Sequence, residues 1–212
     1  MLKTVLNVGC GQRAISILGT SLPADEWREL RLDIDPDVAP DIVASMTDMA
    51  PVPDGSVDAV WSSHNLEHLD PHEVPVTLRE FLRVLKPGGT LLLTVPDLQA
   101  VAKLVAEDRL DEAVYECRQG PIRPLDVIYG YGPALAAGNR FMAHRTGFTP
   151  NLLGRLLQEA GFEPVAVWRR AAAYELQVKA FRPPASAAAL EEFGSLLRTP
   201  ALRTPALRTP AG

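Results

Sequence analysis

Almost at the start of the chain, the apolar run Thr4-Val5-Leu6-Asn7-Val8 leads straight into Gly9-Cys10-Gly11. A buried strand that empties into such a turn restricts the fold more than any other stretch. Residues without a Cβ are needed where the backbone must bend sharply, pass close to a ligand and offer it N–H groups. The next strand ends in Leu32-Asp33-Ile34-Asp35, about twenty residues on, where an acid can accept both hydroxyls of a ribose. Gly9-x-Gly11-x-x-Ala14 also fits the dinucleotide fingerprint, so these residues specify an adenosine-type ligand and leave the reaction open.

The rest of the chain continues the same alternation. Strands are predicted over Leu2–Val8, Leu30–Ile34, Asp41–Ala44, Val57–Ser62 and Thr90–Val95, with a short helix over Arg13–Gly19. Leu78, Phe81, Leu82 and Leu85 follow helical spacing, with Arg79, Glu80, Arg83 and Lys86 on the other face. Asp70-Pro71-His72-Glu73 is expected to cap that helix and Lys86-Pro87-Gly88-Gly89 to stop it, with Pro75 making the first turn irregular. Short apolar strands alternating with helices imply a mostly parallel sheet covered on both faces. Between Asp97 and Gly147 the pattern loosens into one or two helices and a segment rich in Gly and Pro, whose aromatics Tyr115, Tyr129, Tyr131 and Phe141 favour a lid over a substrate. Thr149-Pro150 opens a helix closed at Gly161, and strands over Glu163–Arg169 and Tyr174–Phe181 follow as an antiparallel hairpin.

Composition narrows the class. With 212 residues, 47% hydrophobic and 22% charged, the chain supports one α/β domain over residues 1–183. Residues 184–212 read as a helix over Ser186–Leu197 followed by a disordered tail of three Leu-Arg-Thr-Pro-Ala repeats. A net charge of −5 argues against a nucleic-acid surface, and no apolar run is long enough to span a bilayer. Two distant cysteines, one inside the glycine turn, imply a reduced, cytoplasmic protein.

Five segments in order carry a resemblance: Leu-Asn-Val-Gly-Cys-Gly; Leu-Asp-Ile-Asp-Pro; Pro-Asp-Gly-Ser-Val-Asp-Ala-Val-Trp-Ser-Ser-His-Asn-Leu-Glu-His-Leu; Leu-Arg-Glu-Phe-Leu-Arg-Val-Leu-Lys-Pro-Gly-Gly-Thr-Leu-Leu-Leu-Thr-Val-Pro; and Leu-Gln-Glu-Ala-Gly-Phe. Over about residues 2–182 the chain resembles class I S-adenosylmethionine-dependent methyltransferases of the type 11 group. The resemblance implies a Rossmann-like, seven-stranded, mostly parallel sheet with the last strand antiparallel, and a lid inserted after the fifth strand (residues 97–147). It implies S-adenosyl-L-methionine as cofactor. Gly9, Cys10 and Gly11 would face its methionine and ribose, Asp33 and Ile34 its ribose and adenine, Ser45 and Met46 its adenine, and the main chain at Ser62 and Ser63 its ammonium. Asn7 stands where the family often has an acid, Arg13 where it often has a third glycine, and Ser45 where Asp is frequent.

Methyl transfer needs mainly orientation of an acceptor in line with the sulfonium. A hydroxyl acceptor must also lose a proton, and His64, just past the fourth strand, is the candidate general base. Glu67 and His68 follow three and four residues later on one side of a helical turn, and His144 can approach from the lid. With His64 they form an alternative metal-ligand set, although Leu-Glu-His serves equally as a helix start and the metal-free reading is preferred. The expected function is methyl transfer to an oxygen or nitrogen of a small or medium-sized molecule, with neither nucleic acid nor membrane as partner. The Gly9/Gly11/Ala14 and Asp33 spacing keeps a nicotinamide-dependent oxidoreductase as an alternative. Asn7 and Ser45 keep open an inactive cofactor-binding subunit.

Overall fold

The computed structural model describes residues 1–12, 22–117 and 120–198. The strands are β1 (Lys3–Val8), β2 (Trp27–Asp33), β3 (Ile42–Val43), β4 (Val57–Ser63), β5 (Leu85–Pro96), β6 (Tyr115–Cys117), β7 (Gly120–Ile122), β8 (Val165–Arg170) and β9 (Glu175–Phe181). The helices are α1 (Val74–Val84), α2 (Leu98–Ala106), α3 (Pro124–Tyr129), α4 (Gly132–Ala136), α5 (Pro150–Glu159) and α6 (Ala187–Arg198).

Seven strands form one sheet in the order β3-β2-β1-β4-β5-β9-β8, and β6 and β7 form a separate hairpin. The pairs from β3 to β5 are parallel, and β9 runs antiparallel between β5 and β8. The fold is thus the Rossmann-like sheet that the resemblance implied, with the last strand reversed. The reversed strand lies one place in from the edge, which β8 occupies. Val5, Leu6 and Val8 of β1 are fully buried, as are Leu91 and Val95 of β5, which explains the continuous apolar runs of strands covered on both faces. The main core joins them to Leu78 and Phe81 of α1, Leu153 and Leu157 of α5, and Phe148 and Phe162.

Several boundaries differ from expectation. β2 begins at Trp27 and not Leu30, because Arg28 and Glu29 are held by partners across the sheet: Arg28 Nε donates to Thr4 Oγ1 at 2.9 Å and Asn7 Nδ2 to Glu29 Oε1 at 2.5 Å. β5 begins at Leu85, five residues before the expected start, because Gly88 N–H bonds to the Arg182 carbonyl at 2.8 Å and Leu85 pairs with Val57. Asp70 does not cap α1; it forms a turn in which its own N–H donates to Glu73 Oε2 at 2.9 Å, and Pro75 sits in the first helical turn, where it displaces no bond. The predicted helix over Arg13–Gly19 lies outside the described residues.

The excursion from Asp97 to Phe148 is more ordered than one or two helices, containing α2, the β6–β7 hairpin, α3 and α4. Its two ends meet: Asp97 and Phe148 form a parallel bridge, and Leu98 N–H donates to the Phe148 carbonyl at 3.1 Å. Asp97 is 1% exposed, caps α2 through Ala100 N–H and accepts from Arg169 Nε at 2.6 Å. Past β9, α6 packs Phe193 against Ala166 and Phe181. No helix among the described residues is long and apolar enough to cross a membrane.

Candidate functional site

The carboxyl ends of β1, β2 and β4 meet at the glycine turn, where the strand order reverses and α/β sheets place their ligands. Gly9 and Gly11 both take positive φ, 67° and 58°. The expectation that the turn offers its N–H groups to a ligand is not met. Gly9 and Cys10 donate to the Leu32 carbonyl at 2.9 and 3.2 Å, and Gly11 donates to Asp33 Oδ2 at 2.9 Å. What closes on Gly9 is protein: a Cβ there would overlap the side-chain amide of Asn65. At Gly11 an added Cβ would meet nothing within 4 Å.

Asp33 ends β2 half-buried, with Oδ1 accepting from Asp35 N–H at 3.0 Å, so each carboxylate oxygen keeps a lone pair for a further donor. Ile34 beside it is 49% exposed, an apolar surface next to an acid. Asn7 points its amide at Glu29, and Cys10 is buried as a free thiol whose pKa burial raises to about 11. Ser45 bonds to Thr47 Oγ1 at 2.8 Å, and Met46 packs on the main core. Ser62 is buried, and the Ser63 carbonyl accepts from Asn65 Nδ2 at 3.0 Å.

Asn65, absent from the sequence reading, ties this end of the sheet together. Its Nδ2 also reaches the Val8 carbonyl at 3.0 Å and Ser62 Oγ at 3.3 Å. The cue lay in His-Asn-Leu-Glu-His, where the histidines drew attention from the amide between them.

Beyond Asn65 the chain makes the turn Leu66–His68, and the excursion comes back to it. Arg145 and Thr146 N–H both donate to the Glu67 carbonyl, at 2.7 and 3.2 Å, which sets His144 beside Glu67. His64 is held at φ 55°, an uncommon conformation for a residue with a Cβ. Its Nε2 bonds to Glu175 Oε2 at 3.2 Å, and its Nδ1 lies 3.3 Å from Glu67 Oε1. Burial works to lower the His64 pKa, but the hydrogen bonds to and charges of Glu175 and Glu67 outweigh it and raise it to about 10. His64 therefore departs from the expected free base: both ring nitrogens face carboxylates, leaving no lone pair to take a proton. Glu175, at the start of β9, is also bonded by Arg170 and Gln177, each at 3.0 Å. As a lone acid in an apolar strand, it gave no signal in the sequence. His144 is shifted below the ordinary imidazole range, mainly by burial.

Among the described residues the glycine turn offers no free N–H group at Gly9, Cys10 or Gly11. A pyrophosphate needs free turn N–H groups.

A seven-stranded sheet with one reversed strand, in this strand order, is the class I methyltransferase architecture. The chain matches the model of a methyltransferase domain family over residues 6–93, less than half of its length. It is 30% identical over 100 residues to 2-methyl-6-phytyl-1,4-hydroquinone methyltransferase of Synechocystis sp., a match covering 42% of this chain and only 31% of that protein. Among solved structures, it resembles the complex between the Haloferax volcanii Trm112 methyltransferase activator and a putative methyltransferase (TM-score 0.53, 20% identity, 85% of this chain and 83% of that one). It also resembles a SAM-dependent methyltransferase of Methanosarcina mazei (TM-score 0.55, 17% identity, 85% and 92%). At these identities the solved structures speak to the fold.

Proposed function

We propose that the protein binds S-adenosyl-L-methionine at the β1–β2–β4 edge and transfers its methyl group to an oxygen or nitrogen of a small or medium-sized acceptor. One observation carries the choice of cofactor: the glycine turn has spent its N–H groups on Leu32 and Asp33. Among the described residues, a nicotinamide dinucleotide's phosphates find none of the Gly9, Cys10 or Gly11 N–H groups free. The cofactor supplies an electrophilic methyl group, so the chain's own task is placement.

In this reading Asp33 accepts the ribose hydroxyls, Ile34 lies against the adenine with Ser45 and Met46 at its rim, and Gly9, Cys10 and Gly11 border the ribose and methionine. Ser62, Ser63 and Asn7 flank the amino-acid end. Residues 97–147 form the acceptor's cover, with Tyr129 and Phe141, 61% and 59% exposed, as its apolar contacts. The family match ends at residue 93, before this cover. His64 acts as a positioning residue that holds Glu67 and Glu175 in place.

Calorimetry against S-adenosylmethionine, S-adenosylhomocysteine and NAD tests the reading, followed by an acceptor screen on S-adenosylhomocysteine release. Binding to both sulfur nucleosides and not to NAD is expected; NAD binding alone would overturn it.

A further inference from the structure

Beside His64, three side chains converge whose ligand atoms the cofactor placement does not use. Glu67, His68 and His144 each offer one potential ligand atom, and these atoms lie within 4.8 Å of one another. Glu67 is 1% exposed. His64 Nδ1 lies against its Oε1 as an ion-pair contact at 3.3 Å, while Oε2 has no hydrogen-bond partner among the described residues. A buried carboxylate with an oxygen left unbonded is disfavoured unless a further donor or cation completes it.

The two histidines are oriented by the same device. His68 Nδ1 faces the Ala143 carbonyl at 3.1 Å, and His144 Nδ1 faces the Val127 carbonyl at 2.8 Å. A carbonyl only accepts, so each Nδ1 carries the ring proton and each Nε2 keeps its lone pair. His144 Nε2 lies 4.0 Å from Glu67 Oε1. Imidazoles anchored through the far nitrogen to main-chain carbonyls are how proteins hold metal ligands. His64 stands outside the set, because its Nε2 is bonded to Glu175.

We propose that Glu67, His68 and His144 bind one divalent first-row transition ion of the zinc class. Two imidazole nitrogens and a carboxylate suit zinc, manganese or iron(II), whereas magnesium and calcium prefer oxygen alone. Ligands at roughly 2.0–2.2 Å from a tetrahedral ion lie about 3.4 Å apart. The three groups therefore close inward on loading, a movement that carboxylate and imidazole side-chain torsions supply. Three protein donors leave coordination positions for an oxygen of the acceptor. That use rests on the methyl-transfer reading; binding of the ion does not.

The test uses the full-length chain stripped of metal, titrated with Co²⁺ by visible absorption and with Zn²⁺ by calorimetry. One equivalent is expected to bind. Glu67→Gln, His68→Ala and His144→Ala should each weaken binding about 10²-fold or more, since even supporting residues of a metal site cost up to that factor. His72→Ala, which alters an exposed histidine outside the cluster, should leave it unchanged. Circular dichroism accompanies each variant, and half-buried His68 keeps the test decisive where Glu67→Gln fails to fold. Wild-type protein that takes up neither ion, or uptake that survives His68→Ala and His144→Ala in folded protein, overturns the proposal. S-adenosylhomocysteine titrations on the same samples separate the two readings, because absent cofactor binding beside intact metal uptake defeats only the first.

Discussion

At the residue scale the site depends on pairs of groups that sequence motifs represent by one member. Gly9 is required by Asn65, whose amide fills the space a Cβ would need while bonding the Val8 and Ser63 carbonyls. Gly9→Ala should therefore destabilise the fold by about 2 kcal/mol or more, combining a left-handed backbone with a steric overlap. Asn65→Ala should cost about 1–2 kcal/mol through the unpaired carbonyls; urea denaturation measures both. Asp33→Ala should weaken S-adenosylhomocysteine binding by roughly 1.5–3 kcal/mol, the scale of charge-assisted hydrogen bonds, as calorimetry would show. Unchanged affinity would remove Asp33 from the site. Gly9, Gly11 and Asp33 were legible because their backbone and end-of-strand roles leave a composition signature. Asn65 and Glu175 were not, since a side chain's partner far along the chain leaves no local pattern.

At the element scale, α1 is joined to the preceding loop by Arg83. Its guanidinium donates to the Met49 and Val52 carbonyls, each at 2.9 Å, and pairs with Glu80, which also accepts Met49 N–H at 2.8 Å. The Arg83 bond holds the Glu80 carboxyl below its ordinary range, against the opposing effect of burial. A depressed carboxyl pKa contributes stability above its unfolded value and loses it as pH falls through the folded value. Wild type should therefore exceed Glu80→Gln in stability by about 1–2 kcal/mol at pH 7, and the gap should close in acid; chemical denaturation across pH 3–7 reads it. Thr149 Oγ1 accepts Leu152 N–H at 3.3 Å at the start of α5, so Thr149→Ala should cost about 1 kcal/mol. Both helices were visible as 3.6-residue periodicity. β2 was seen only in part, because Arg28, Glu29 and Arg31 make a charged strand whose partners lie on other elements.

At the scale of the whole molecule, the alternation of elements made the parallel sheet readable, and the reversed final pair followed from the short connection between β8 and β9. The arrangement of residues 97–147 was not readable, because its shape depends on Asp97 meeting Phe148 and on Glu67 receiving residues 145 and 146. The chain's end divides similarly. The tail over residues 199–212 lies outside the described residues; its proline-spaced sequence offers little apolar surface, so removing it should leave the melting temperature unchanged. Removing 187–212 uncovers Phe181 and should lower it by roughly 5–10 °C, from about 2–3 kcal/mol of lost aromatic burial in a chain of this size; scanning calorimetry on both truncations decides the matter.

β9 carries a further consequence, for biosynthesis. It is the last sheet strand to be translated, yet it lies inside the sheet, pairing with β5 from Thr90 opposite Phe181 to Pro96 opposite Glu175. A nascent chain that ends before it has β5 as an open edge, β8 without a neighbour, and His64 without Glu175. The sheet, and the His64–Glu175 contact with it, can therefore close only once the chain has been made through residue 181.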